Sequence, residues 1–217
     1  MQALAPISDT LEMGENIANV VQKLQNTPVY PPLFQAAFGD TIITGEHLLK
    51  ALTQFQLTLI SANSKYDQVS RKEEGIVFTE QEQNGYTIFK KNCNSCHQEP
   101  LFTTGAFANN GLPMDSILRD MGRMGITKIA TDSLKFKIPT LRNIEFSFPY
   151  MHDGRFRKLS QVLKHYTKNI QSSSTLAPEL ENGINITNRE KVDLAAFLLT
   201  LSDKDFLFNP QHAYPRE

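Results

Sequence analysis

Cys93, Cys96 and His97 stand together in "KNCNSCHQEP", and they include both cysteines of a 217-residue chain. Two thiols at this spacing beside an imidazole could form a disulfide, supply half a zinc site, act as a redox dithiol or anchor a haem. Zinc takes about four ligands, commonly as two Cys or His pairs. Only one pair exists here, and His47, His152, His165 and His212 lack the spacing of a second. A thioredoxin-like dithiol follows a strand and opens a helix, whereas the upstream "FTEQEQNGYTIFKKN" reads as helix. A disulfide across two residues closes a small strained loop and leaves His97 without a task. C-x-x-C-H is the pattern of c-type haem attachment. Two thioethers fix the porphyrin edge, and the next residue brings its imidazole to the iron as proximal ligand. The haem reading is favoured over the other three.

Such a site needs helices on both sides. Thr79 and Glu82 have capping-box spacing, which predicts a helix running into the motif, with Gly85 on it and Tyr86 and Phe89 close to one turn apart. Thr187 and Glu190 repeat the box near the end of the chain, where Val192, Ala195, Ala196 and Leu199 suggest an apolar stripe. A glycine on the first helix would let the two cross closely. The composition, 40% hydrophobic and 21% charged, is that of a globular protein. A net charge of −1 without long runs of one sign gives no footing for nucleic acid, and no stretch approaches the roughly 20 apolar residues of a membrane span. The opening "MQALAPISDTLEMG" lacks the basic and apolar segments of a secretory signal. "SKYDQVSRKEEG" is a polar connector and marks a boundary near residue 70.

Three segments together resemble the C-terminal haem domain of the bacterial dihaem cytochrome c peroxidase superfamily, which includes MauG-like enzymes. They are "GYTIFKKNCNSCHQEPLFTTGAFANNGLP", "KFKIPTLRNIEFSFPYMHDGRFRKLSQVLKHYTKNI" and "TNREKVDLAAFLLTLSD". The most specific piece is "PTLRN" followed by "PYMHDGRF" and an amphipathic helix. Upstream, "LEMGENIANVVQKL", "YPPLFQAAFGD" and "HLLKALTQFQLTLISANSKYD" are similar to the back of the family's N-terminal domain. The resemblance implies an all-α, cytochrome c-like haem domain with long loops over 71–205. It would be preceded by helices of a truncated N-terminal domain over 1–70 and followed by a tail over 206–217. Family members carry a second C-x-x-C-H, for which no cysteine is left here, so the expectation is a fragment of a longer enzyme.

Carried over residue by residue, the resemblance makes Cys93 and Cys96 the thioether anchors and His97 the proximal ligand. On the other side of the iron the family places methionine in the peroxidases and tyrosine in MauG-like members, and that position falls on Tyr166. A tyrosinate favours ferric and higher iron, while methionine raises the potential. Met151, Met114, Met121, Met124, His152 and His165 are the rivals. The resemblance also puts His152 near the haem and assigns backbone carbonyls of Ser147 and Pro149 to a calcium ion that is weak or absent in this chain. Arg142 could bind a haem propionate through its planar fork, an ordinary surface or carbonyl-bonding arginine being the alternative. Arg155, Arg157, Lys158, Lys164 and Lys168 form a basic cluster able to dock a redox partner.

The function expected is a single covalent haem c in a periplasmic oxidoreductase. It would relay electrons or oxidising equivalents to or from a second haem that reacts with hydrogen peroxide in the missing N-terminal haem domain. A small redox protein would serve as electron donor, or a protein as substrate. A free-standing monohaem cytochrome c and a helical interaction module with a redox dithiol are the alternatives.

Overall fold

The computed structural model describes residues 2–214 and divides into two compact units, Met1–Ile60 and Ser61–Glu217. In the first, α1 (Ala5–Ser8), α2 (Ile17–Gln25), α3 (Tyr30–Phe38) and α4 (Gly45–Thr58) follow one another. Asn16 accepts from the Ala18 N–H and Thr44 from the His47 N–H, so side-chain caps start α2 and α4. Ile7, Phe34, Ile43 and Leu48 are buried, but Leu33, Leu57 and Ile60 stay largely exposed. His47 stacks on Phe38, and its buried Nδ1 has no hydrogen-bond partner among the described residues.

The second unit contains α5 (Lys65–Ser70), α6 (Glu80–Asn92), α7 (Met124–Thr127), α8 (Leu159–Lys168), α9 (Asn188–Leu199) and α10 (Lys204–Leu207). Its one small sheet pairs β1 (Phe107–Ala108) antiparallel with β2 (Phe136–Lys137), Phe107 opposite Lys137. The two predicted capping boxes form at Thr79/Glu82 and Thr187/Glu190, and Ser64/Asp67 adds a third. α6 crosses α9 at Gly85, where a Cβ would lie 2.0 Å from the Asp193 carbonyl oxygen. Only glycine allows that approach. Around the crossing, Phe89, Phe102, Phe197, Leu194 and Leu201 are fully or almost fully buried and form the core with Tyr66 and Leu163. Each such side chain contributes on the order of 2–3 kcal/mol by leaving water.

Two expectations change. The boundary lies after Ile60 rather than near residue 70, because Tyr66 and Asp67 of α5 are buried in the second unit. Within the expected tail over 206–217, whose last three residues lie outside the described ones, Phe208 packs edge-on against Phe146 at 5.7 Å. On α9, Val192 and Leu199 are exposed, and Leu194, Phe197 and Leu198 are buried instead. Both sets have helical spacing; the set with the larger side chains faces the core because it removes more apolar area from water.

Candidate haem site

α6 delivers the cysteines. Its last turn closes when the Cys93 N–H donates to the Phe89 carbonyl at 2.8 Å, and the His97 N–H then donates to the Cys93 carbonyl at 2.8 Å. Both thiols are free. Burial pushes the Cys93 thiol up to about 12 and raises that of Cys96. No group of three or more His, Cys, Asp or Glu able to hold a metal ion occurs among the described residues, so zinc lacks its remaining ligands.

His97 is set up differently. Its Nδ1 lies 3.0 Å from the Pro139 carbonyl and 3.3 Å from the Phe102 carbonyl. Carbonyls only accept, so Nδ1 carries the proton and Nε2 keeps its lone pair. That nitrogen makes no hydrogen bond among the described residues, and burial lowers the pKa, keeping the ring neutral. A neutral imidazole oriented through Nδ1 is the form that ligates a metal. Two free thiols and this nitrogen are the donor set that a haem c requires.

"PTLRN" proves to be a strap behind His97. Pro139 supplies the carbonyl just described, Thr140 Oγ1 donates to the Leu101 carbonyl at 2.6 Å, and the Leu141 N–H to the Phe102 carbonyl at 3.2 Å. Asn143 bonds Ser61 and Asp203, at 3.0 and 2.8 Å. Arg142 departs from the propionate expectation. Its guanidinium forks onto Asp67 at 2.8 and 2.9 Å and also donates to the Pro100 carbonyl at 2.7 Å. Asp67 feels burial upward, but Arg142 and Ser64 outweigh it and hold the carboxyl below the usual range. Glu99, also absent from the sequence reading, accepts from the Tyr66 and Tyr86 hydroxyls at 2.6 and 2.9 Å.

Tyr166 is on α8. Burial raises its pKa, and the Asn110 amide opposes that shift. The Asn110 amide donates to the Tyr166 hydroxyl oxygen at 3.4 Å, whose own O–H donates to nothing among the described residues. His165 turns away, as its neighbouring helix position requires, and Nε2 donates to the Asn110 carbonyl at 2.9 Å. Met114 is exposed. His152 stacks on Phe136 at 3.6 Å and is placed against that ring, next to Asp153.

A family model described as di-haem cytochrome c peroxidase matches residues 1–75. The methylamine utilization protein MauG of Methylophilus methylotrophus is 35% identical over 207 residues, 92% of this chain and 60% of the relative. The chain belongs to the dihaem cytochrome c peroxidase and MauG family. A cytochrome c551 peroxidase of Nitrosomonas europaea is 31% identical over 166 residues, 75% of this chain and 49% of that protein. A crystal structure of a MauG-like protein associated with microbial copper homeostasis superposes with a TM-score of 0.83 at 28% identity, covering 99% of this chain and 71% of that one. The chain thus spans about 60% of the length of its MauG relative. Family membership agrees with the all-α fold and implies haem c as cofactor.

Of the residues expected to serve this family site, Cys93, Cys96 and His97 follow one another at the end of α6, and Tyr166 stands on α8 beside Asn110. The structure gives Arg142 a structural role and stacks His152 on Phe136. Ser147 follows a single 3-10 turn, and its Oγ donates to the Ile144 carbonyl at 3.4 Å; Pro149 follows a cis peptide bond. The carboxylate nearest in sequence, Glu145, is engaged by Ser202 at 2.7 Å. Within the basic cluster Arg155 is tied to Asp153, while Arg157, Lys158, Lys164 and Lys168 are exposed. Asp67, Glu99, Asn110 and Pro139 were missed by sequence reasoning. All four lie in segments quoted for the resemblance, but none was given a task there.

Proposed function

We propose that residues 61–217 form the c-type haem domain of a MauG-like oxidoreductase, relaying electrons or oxidising equivalents for a second haem that meets hydrogen peroxide. The observation that carries this is the His97 ring: proton on Nδ1 held by two carbonyls, Nε2 free, on the heels of two thiols not joined in a disulfide. Cys93 and Cys96 would hold the haem covalently, with His97 and Tyr166 as iron ligands. Bound there, the haem supplies one-electron chemistry that no side chain provides. The chain's own part is to orient His97 through the 139–143 strap, to keep it neutral, and to present Tyr166 as a hard oxygen donor. If His97 and Tyr166 both held the iron, it would offer peroxide no open site, and peroxide reduction would fall to another segment of the full protein.

Residues 1–60 read as part of the peroxidase-side domain. The family model covers them, and the orphaned His47 Nδ1 and exposed Leu33, Leu57 and Ile60 suit helices that normally have further chain against them. Because haem c is attached outside the bacterial inner membrane, this reading carries a periplasmic location with it. The exposed lysines and Arg157 suit docking of a small redox protein; carbonyls near Ser147 and Pro149 would at most hold calcium weakly.

Protein made in a host competent for haem c maturation should show a single covalent haem per chain by pyridine haemochrome. Colourless protein of unmodified mass would refute the assignment. Tyr166→Phe should alter the ferric spectrum and open a site for cyanide; if the spectrum stays the same, another residue is the sixth ligand. Peroxide turnover by the 217-residue chain alone should be slow, and fast steady-state turnover contradicts the relay role.

A further inference from the structure

Asn110 stands where three of these side chains meet. Its carboxamide nitrogen lies 3.4 Å from Tyr166 Oη and 3.5 Å from Met151 Sδ. The carboxamide oxygen accepts from the Leu112 N–H at 3.1 Å. That bond decides which way the amide faces, since a nitrogen turned toward Leu112 would set donor against donor. The NH2 group therefore points at Tyr166 and Met151, with one hydrogen available for each.

The loop carrying Asn110 has little freedom. Asn109, 2% exposed, donates to Ser173 and Thr175 at 3.0 and 2.9 Å. Gly111 has φ +70°, and a Cβ there would lie 2.5 Å from Ile170. The Asn110 carbonyl is bonded to His165 on α8, one residue from Tyr166. On the other side, Met151 has φ 72°, a left-handed conformation that non-glycine residues seldom adopt and that tends to mark functional positions. A thioether and a phenol thus share one rigid donor.

We propose that Asn110 is the positioning residue for the sixth iron ligand and that Met151 is an alternative sulfur ligand held beside Tyr166. This rests on the haem reading above. Amide N–H groups stabilise an oxygen that bears negative charge far more than a thioether, which is a weak acceptor. Asn110 therefore biases the site toward Tyr166, the hard donor suited to ferric iron, and away from Met151, the soft donor that raises the potential. Without the two donors the bias reverses. The phenolate leaves with a proton from water, the sulfur takes its place, and no electron moves.

The test uses the haem-loaded protein as Asn110→Asp, Asn110→Ala, Met151→Leu and the Asn110→Asp/Met151→Leu pair. Ferric absorption, resonance Raman and midpoint potential are read with the melting temperature. Asn110→Asp keeps the side-chain shape and the oxygen facing Leu112 but replaces the donors with a carboxylate. It should lose the phenolate-to-iron charge-transfer band, gain the near-infrared sulfur-to-iron band and move to a higher potential. Asn110→Ala should shift the same way, which covers the case of an Asp variant that does not fold. Met151→Leu alone should keep the phenolate band, and the double variant should show neither band and bind cyanide. Wild-type spectra and potential in both Asn110 variants overturn the proposal, as does a sulfur band that survives in the double variant. A chain that takes up no haem sinks the parent reading and this one with it.

Discussion

Gly85→Ala should destabilise the haem unit by about 3 kcal/mol. Taken alone, alanine in a helix is favoured over glycine by roughly 1 kcal/mol, so the sign depends on what the new methyl meets. It meets main chain: the Asp193 carbonyl oxygen at 2.0 Å and carbon at 2.6 Å, with the Phe197 Cβ at 2.8 Å. None of these can rotate aside. α6 and α9 must separate, which loosens contacts around Phe89, Leu194 and Phe197, and the lost packing outweighs the propensity gain. Urea unfolding followed by circular dichroism measures the difference. A variant as stable as the parent would show that the crossing is looser than the structure has it.

Arg142→Met should cost about 3–5 kcal/mol, the usual penalty for stranding one partner of a buried ion pair. Arg142 and Asp67 side chains are 12% and 9% exposed, so water cannot replace the missing guanidinium. The Asp67→Leu/Arg142→Met pair should recover part of that loss. The acid limb gives a second readout. Asp67 titrates lower when folded than when unfolded, so its stabilisation is complete above the unfolded pKa of about 4 and fades as pH falls through the folded value. In Arg142→Met that acid sensitivity should shrink. Equal unfolding midpoints at pH 7, or an unchanged pH slope, contradict the role given to the pair. Loosening of Pro100 should also disturb the ring orientation of His97, visible in the ferric spectrum of the loaded protein.

What could be read from the chain was local chemistry. Cys93, Cys96 and His97 are consecutive in space because they are nearly so in sequence, and capping boxes at Thr79 and Thr187 set helix starts by bonds across three residues. Gly85 was readable because a glycine inside a capped helix calls for close contact. The stripe on α9 was misassigned because two apolar sets share one period, and only the partner helix decides between them. Arg142 was legible as important but not as to why: its partner, Asp67, is 75 positions away. Asn110 sits in a quoted segment yet had no task there, since its contacts depend on where Met151 and Tyr166 arrive from other parts of the chain.

The crossing of α6 by α9 also orders events during biogenesis. α6 ends at Asn92, and the helix that covers it does not begin until Asn188. Until that late segment has emerged, Phe89 lacks the Phe197 ring, 5.1 Å away, that packs against it in the finished core. The contact therefore joins positions far apart in sequence and forms late, the kind of non-local pairing that slows folding.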